Sequence, residues 1–416
     1  MLVAISGGQT AKEYLDRGEQ AFNKNDDETA IVDFTKAIKL DPTAAFAYYG
    51  RGMAYSRKAS FDLAIADFTI LVNSKITSSE IYSERGFDYF ETHDNDLALA
   101  DLDKAVELDK TSSEAYYRRG LVYAGEGKYD LSIADYSKAI ELRPTYFAAY
   151  YFRADAYELR AAQSVLNGAE DTRNYDLAIS DYRKASELNP KDTTVLNKLG
   201  GFLSDDLAIG EYNRVLVLDP ENAEAYHGRA SIYYRMGHCA AAFADLNKLI
   251  PMNALFNKYG ADYRERGWVN LCLNNGSAAY QDAVKALELN SSGIDAPDAV
   301  MIGYFGLRER GDKTAATAFL ETWINKSDPK VMESYIMRYL HGDLTADYLL
   351  ATAKDDKYGW LTEAHGYIGM NLALAGDQDP ARVHFEWVKT QGKKGYAAYY
   401  LALNQLNRLQ IPAAVK

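Results

Sequence analysis

Apolar and small residues recur along this chain at spacings of three and four, in stretches of about a dozen residues separated by short polar turns. That pattern predicts one amphipathic helix after another, with no strand. A longer rhythm lies over it. Gly18, Ala30, Phe34, Ala37 and Pro42 are separated by steps of twelve, four, three and five. The same ladder returns at Gly52, Ala64, Phe68, Leu71 and Ile76, at Gly86, Ala98, Leu102, Ala105 and Lys110, and at Gly120, Ser132, Tyr136, Ala139 and Pro144. A period of about 34 residues implies stacked repeats, each too small to bury a core alone. Such a chain offers a long shaped surface rather than a central cavity.

Each repeat reads as two helices. Between Asp41 and Lys75 the first spans roughly 43–58 and the second roughly 61–72. Pro42 closes the preceding helix and suits the turn before the next. Gly52 and Ala64 are small where the two helices cross closely, and Phe68 fills the gap beyond. A helical glycine costs about 1 kcal/mol relative to alanine, so its regular return needs a packing reason. In the fifth repeat Ala154 and Ala178 are 24 apart instead of twelve. The extra residues, around 159–168, are helix-prone and lengthen both helices, with a turn expected near Asn167-Gly168. In the sixth, Gly200 and Ala208 are only eight apart, which shortens the pair by about one turn.

Tyr48, Arg51-Gly52, Tyr55, Ala64, Phe68 and the proline that ends sister repeats resemble the tetratricopeptide repeat, of bacterial type. The resemblance covers 11–293 as eight repeats, the fifth with an insertion and the sixth shortened. It implies an all-α fold, a right-handed α-α superhelix (TPR solenoid) of about ten helix pairs with a C-terminal capping helix. It also implies that first helices line a concave face where ligands bind. Around this array stand an N-terminal extension (1–10), a divergent pair (294–328), a helical hairpin (329–361), a last repeat (362–395), and a capping helix with tail (396–416). The C-terminal part resembles periplasmic TPR adaptor lipoproteins through Tyr339-Leu340-His341-Gly342, Tyr367-Ile368-Gly369 and Gly376-Asp377. No lipid-attachment cysteine stands at the N-terminus, so membrane anchoring is not expected.

A length of 416 residues would suggest two or three domains, but a repeat array grows by addition and needs no boundary. The net charge of −13 argues against nucleic acid as a partner. No run of 18 apolar residues exists, so no membrane insertion is expected. The apolar run Leu2-Val3-Ala4-Ile5 is too short for a signal peptide. The chain as given reads as cytoplasmic, or as periplasmic or secreted if a leader has been removed. Two cysteines, Cys239 and Cys272, exclude a disulfide framework. A single bridge between neighbouring repeats is sterically conceivable; two small apolar fillers are the favoured reading.

Two charges run the length of the array. Arginine precedes the small residue of the first helix at Arg17, Arg51, Arg85, Arg119, Arg153, Arg229 and Arg266. Aspartate precedes the usually large residue of the second at Asp33, Asp67, Asp101, Asp135, Asp181, Asp245 and Asp282. In the sixth repeat both change together, to Leu199 and Glu211. An Arg–Asp bridge between the helices of each repeat is expected; an arginine stripe for an acidic ligand is the alternative.

The residues after the repeated tyrosine and after the repeated glycine should face inward: Tyr49, Met53, Phe87, Tyr117, Leu121, Tyr151 and Trp268. Phe46, Phe90 and Tyr234 join them as candidates for a partner-binding groove, about half of them facing solvent. Tyr and Trp suit a peptide or partner helix because they bury large area at low entropic cost. The lysine–asparagine clamp for chaperone tails is absent, since Leu15 and Glu19 stand at its first positions. Catalytic, cofactor-binding and metal-binding residues are not foreseen. The histidines, His93, His227, His238, His341, His365 and His384, form no metal motif. The expected function is a non-catalytic scaffold or adaptor binding a protein or peptide. The alternatives are self-association into a homo-oligomer, and the regulatory arm of an enzyme complex.

Overall fold

The computed structural model describes residues 10–76, 78–166, 172–252, 260–290, 296–354 and 359–410. Among them are 23 α-helices and no β-strand. The chain divides into two compact units, 1–195 and 196–416. The period alone foresees no such division.

The N-terminal unit holds five helix pairs: α1 (Ala11–Asn23) with α2 (Asp27–Leu40), α3 (Ala45–Arg57) with α4 (Phe61–Asn73), α5 (Ser79–Glu91) with α6 (Asn95–Leu108), α7 (Ser113–Gly125) with α8 (Tyr129–Leu142), and α9 (Phe147–Leu166) with α10 (Thr172–Leu188). The starts of α1, α2, α5 and α7 are capped by side chains. Thr10 and Glu13 form a capping box on α1, and Ser78 and Ser112 accept from the first turns of α5 and α7. The glycine explanation holds. A Cβ on Gly52 would lie 2.9 Å from the Phe68 ring, and one on Gly120 would lie 2.7 Å from the Tyr136 ring. Both rings are fully buried, so no space exists for the extra carbon. Gly125-Glu126-Gly127, which mimics a phosphate loop, is a helix-to-helix turn: Gly127 takes φ +72°, in the left-handed region.

The fifth pair is long, as its spacing requires. Helix α9 has 20 residues and α10 has 17, against 13 and 14 for α7 and α8. The turn expected near Asn167-Gly168 lies outside the described residues, as does most of the 1–10 extension.

The Arg–Asp bridges are present in all seven repeats that carry the pair. Arg51, for instance, donates Nε and Nη2 to the two carboxylate oxygens of Asp67 at 2.8 and 2.7 Å. Each bridging arginine from Arg51 onward also reaches back to the preceding repeat. Arg51 donates to Thr35, Arg85 to Thr69, Arg119 to Asp103, Arg153 to Ser137, Arg229 to Asn213 and Arg266 to Asn247. Arg51, Arg85, Arg119 and Arg229 each lie between two tyrosine rings three residues before and four after, 5.6–5.9 Å from their centroids. The arginine therefore ties two helices of one repeat to the repeat before it.

The C-terminal unit begins within α11 (Thr193–Phe202), which at 10 residues is the shortened helix of the sixth repeat; its partner α12 (Asp205–Leu218) keeps 14. The shortening falls on the first helix alone. Then come α13 (Ala223–Arg235) with α14 (Cys239–Met252), α15 (Ala261–Cys272) with α16 (Gly276–Leu289), α17 (Ala296–Glu309) with α18 (Lys313–Ile324), α19 (Met332–His341) with the short α20 (Ala346–Thr352), α21 (Trp360–Ala375) with α22 (Gln378–Gln391), and a final α23 (Ala397–Gln410). Helix α17 is buried from Ala299 to Leu307 and centres a continuous core running from Trp268 to Leu406. Helix α23 packs on α21 and α22 as a cap, and it also reaches α15; in the turn after α15, Asn274 accepts from Arg408 at 2.5 Å.

The favoured reading of the cysteines is corrected. Cys239, at the start of α14, and Cys272, at the end of α15, form a disulfide and are both buried. Stacking lays the end of one first helix beside the start of the preceding second helix, which brings the two together.

Candidate functional site

In the N-terminal unit the first helices touch one another in sequence, α1 to α3, α3 to α5, α5 to α7 and α7 to α9. They form a continuous layer, and eight of the ten candidate groove residues lie on it. Phe46 is 73% exposed. Tyr49, Met53, Phe87, Phe90, Tyr117, Leu121 and Tyr151 are half-buried. Tyr49 leans on Phe68 at 6.0 Å, and Met53 packs on the same cluster. Tyr117 sits among Tyr136, Tyr146 and Phe152 at 5.0–6.0 Å. Tyr151 meets Phe152 edge-on at 5.1 Å and Tyr182 at 6.0 Å. These rings are anchored on one side by the core, which fixes their orientation without ligand.

A charged network missed by sequence reasoning runs between them. Arg118 lies over the Phe87 ring at 5.1 Å and bridges Glu84 at 3.0 Å and Glu114 at 3.1 Å. Tyr146 donates to Glu114 at 2.7 Å. Burial, then the nearby Glu84 and Glu80 carboxylates, raises the Tyr49 hydroxyl above its ordinary range; burial and Glu114 push Tyr117 up to about 12. Ser56 donates to the fully buried Asp88 at 2.6 Å, and desolvation lifts that carboxyl to about 7. Tyr182 donates to Asp155 and Glu158 of α9 at 2.5 and 2.9 Å. The available signal was the doublet Arg118-Arg119: one arginine makes the repeat bridge and leaves the other over. Residues 1–195 hold 23 Lys and Arg against 33 Asp and Glu, so ten of the thirteen net negative charges fall there.

The other two candidates, Tyr234 and Trp268, belong to the C-terminal unit. Trp268 is 4% exposed, stacked on Tyr367 at 6.3 Å, and is part of the core. Tyr234 meets Tyr400 of α23 at 6.2 Å. Both line a cleft of about 330 Å³ with Arg264, Glu265 and Asp298. Among the described residues no group of three or more His, Cys, Asp or Glu is placed to hold a metal, and no helix is long and apolar enough to cross a membrane.

Tetratricopeptide-repeat family models match residues 113–146 and 169–192, and a TPR-repeat model matches 204–237. RNA polymerase II-associated protein 3 of Xenopus laevis is 36% identical over 91 residues, 22% of this chain; its Xenopus tropicalis counterpart is 35% identical over 91 residues. The match spans 13% of the length of these relatives. Among solved structures, MamA is 28% identical over 45% of this chain and 96% of its own, with a TM-score of 0.37. YrrB, described as a TPR protein with an unusual peptide-binding site, is 25% identical over 45% of this chain and 91% of its own, with a TM-score of 0.36. PilF of Pseudomonas aeruginosa is 18% identical over 56% of this chain and 98% of its own, with a TM-score of 0.41.

Proposed function

On the footing that this chain is a tetratricopeptide-repeat protein, we propose that it is a non-catalytic adaptor whose first-helix layer in the N-terminal unit holds a segment of a partner protein. Tetratricopeptide repeats support a protein-interaction scaffold. The observation that carries the finer reading is the row Tyr49, Phe87, Tyr117 and Tyr151 on helices that touch in sequence, the tyrosines held by neighbouring rings and Phe87 by Arg118. Rings held in place before binding lose little entropy when a partner covers them. The carboxylates among them, and the charge of the whole unit, favour a segment that mixes apolar with basic residues.

The test is parallel capture with the intact chain and with a Tyr117→Ala/Tyr151→Ala variant matched for thermal stability, followed by titration with segments of whatever protein is held. The reading expects a protein that the intact chain retains and the variant releases, with a basic, apolar segment reproducing the difference. Equal retention by a folded variant would remove the layer as the docking face.

A further inference from the structure

The last repeat keeps the spacing of its sisters and changes their chemistry. Gly369, Ala381, Phe385 and Val388 repeat the ladder of Gly52, Ala64, Phe68 and Leu71. In every repeat with an Arg–Asp bridge a tyrosine stands three residues before the arginine, as Tyr48 does before Arg51. In the last repeat all three positions differ. His365 stands for the tyrosine, Ile368 for the arginine and His384 for the aspartate. The guanidinium and the carboxylate are gone together, and two imidazoles stand in their region.

His365 on α21 and His384 on α22 face each other, with Nδ1 atoms 2.9 Å apart and ring centroids 5.0 Å apart. Trp387, one turn beyond His384, stacks on the His365 ring at 3.9 Å and an interplanar angle of 11°, which fixes its plane. Both histidines are half-buried. Burial lowers the two imidazoles, and His384 lowers His365 further, so both rings are neutral at pH 7. One Nδ1 donates its proton to the other, which offers a lone pair. Two nitrogens on a tetrahedral ion with bonds of about 2.0–2.1 Å lie about 3.3 Å apart, so the pair needs to widen by only about 0.4 Å to hold one.

We propose that His365 and His384 form a binding site for a transition-metal ion of the zinc–copper kind, held between the two Nδ1 atoms. The donor ring keeps its proton, which moves to its Nε2 through solvent, so both Nδ1 lone pairs reach the ion. Neutral imidazole suits zinc and copper, whereas magnesium prefers oxygen. Water fills the remaining positions, which makes the site an exchangeable one. The ion ties α21 to α22 where a guanidinium ties the two helices of sister repeats.

The experiment is calorimetric titration of the full chain, stripped with chelator, with zinc sulfate and with magnesium sulfate at pH 7. His365→Asn and His384→Asn are run beside the wild type, with melting curves to establish that each is folded. Asparagine retains a hydrogen-bonding group on a short side chain and removes the imidazole ligand. The wild type should take up one equivalent of zinc and no magnesium, and each variant should bind that zinc at least about tenfold more weakly. Zinc should raise the melting temperature of the wild type more than that of either variant. Copper(II) chloride should quench the tryptophan fluorescence of the wild type, and a folded Trp387→Phe should lose most of that quenching. An absence of zinc uptake overturns the proposal. So does equal uptake by the wild type and both folded variants, which would assign the ion to His93, His227, His238 or His341. Should the asparagine variants fail to fold, copper quenching left unchanged in Trp387→Phe overturns it by itself.

Discussion

Cys239 and Cys272 are joined at the same joint of the repeat that Asp27 and Arg57 bridge between the first and second repeats, and Asp205 and Arg235 between the sixth and seventh. One partner stands seven residues before the large residue of a second helix: Phe34, Tyr212 or Leu246. The other stands five residues after the small residue of the next first helix: Gly52, Ala230 or Gly267. A covalent bond here takes the place of an ion pair, with Cα atoms 6.2 Å apart.

Because that bond closes a loop across a sequence separation of 33, its loss should be felt in the unfolded state as well as in the fold. Cys272→Ala is expected to cost roughly 3–4 kcal/mol in oxidising buffer. The melting temperature should fall there, and the gap to wild type should narrow when both are measured in dithiothreitol. Two freely alkylated thiols in the unreduced wild type would contradict the bridge.

Asp135 accepts from Arg119 at 2.8 Å through both oxygens and is itself buried, while Asp103 holds the same guanidinium at 2.7 Å. Asp135→Ala leaves a half-buried cation with one exposed partner, at a cost of about 1–3 kcal/mol. A lower melting temperature with unchanged partner binding is expected; an unchanged melting temperature would show that the bridge contributes nothing.

Asp88 gives a pH dependence with a definite sign. Its folded carboxyl titrates at about 7, raised chiefly by desolvation, so the folded state binds the proton more tightly than the unfolded chain does. The contribution to stability is fully present below the unfolded value, about 4, and is lost as pH rises through 7. Asp88→Asn keeps an acceptor for Ser56 and should flatten the fall in melting temperature between about pH 4 and 7. A variant curve parallel to wild type would refute the assignment.

Ala59 takes φ 55° in the turn between α3 and α4, where the fourth and seventh repeats have Gly127 and Gly237, also at positive φ. An alanine there pays the left-handed penalty of about 1–2 kcal/mol, partly offset by the entropy that glycine would lose. Ala59→Gly should therefore stabilise the chain by about 0.5–1 kcal/mol, read as a higher denaturation midpoint.

Much of this was legible in the sequence. The glycine–ring crossings and the Arg–Asp bridges recur at fixed spacing, so each copy vouches for the others. The disulfide was legible too, had Cys239 and Cys272 been set against Asp27 and Arg57 in the same register. The network around Arg118 was not, because Glu84 and Glu114 are its own and no sister repeat shares the set.

By itself the sequence determined the helices, their pairing and the bridges within each repeat. Those depend on which side of each helix is apolar and on contacts within one period, and both are written as local spacing. Only the tertiary structure decided the rest. It placed α23 against α15, buried Trp268 against Tyr367, and brought Tyr400 to Tyr234. These contacts join residues about a hundred or more positions apart, a range at which no period remains to announce a neighbour; the folding of the chain back on itself chooses the partner.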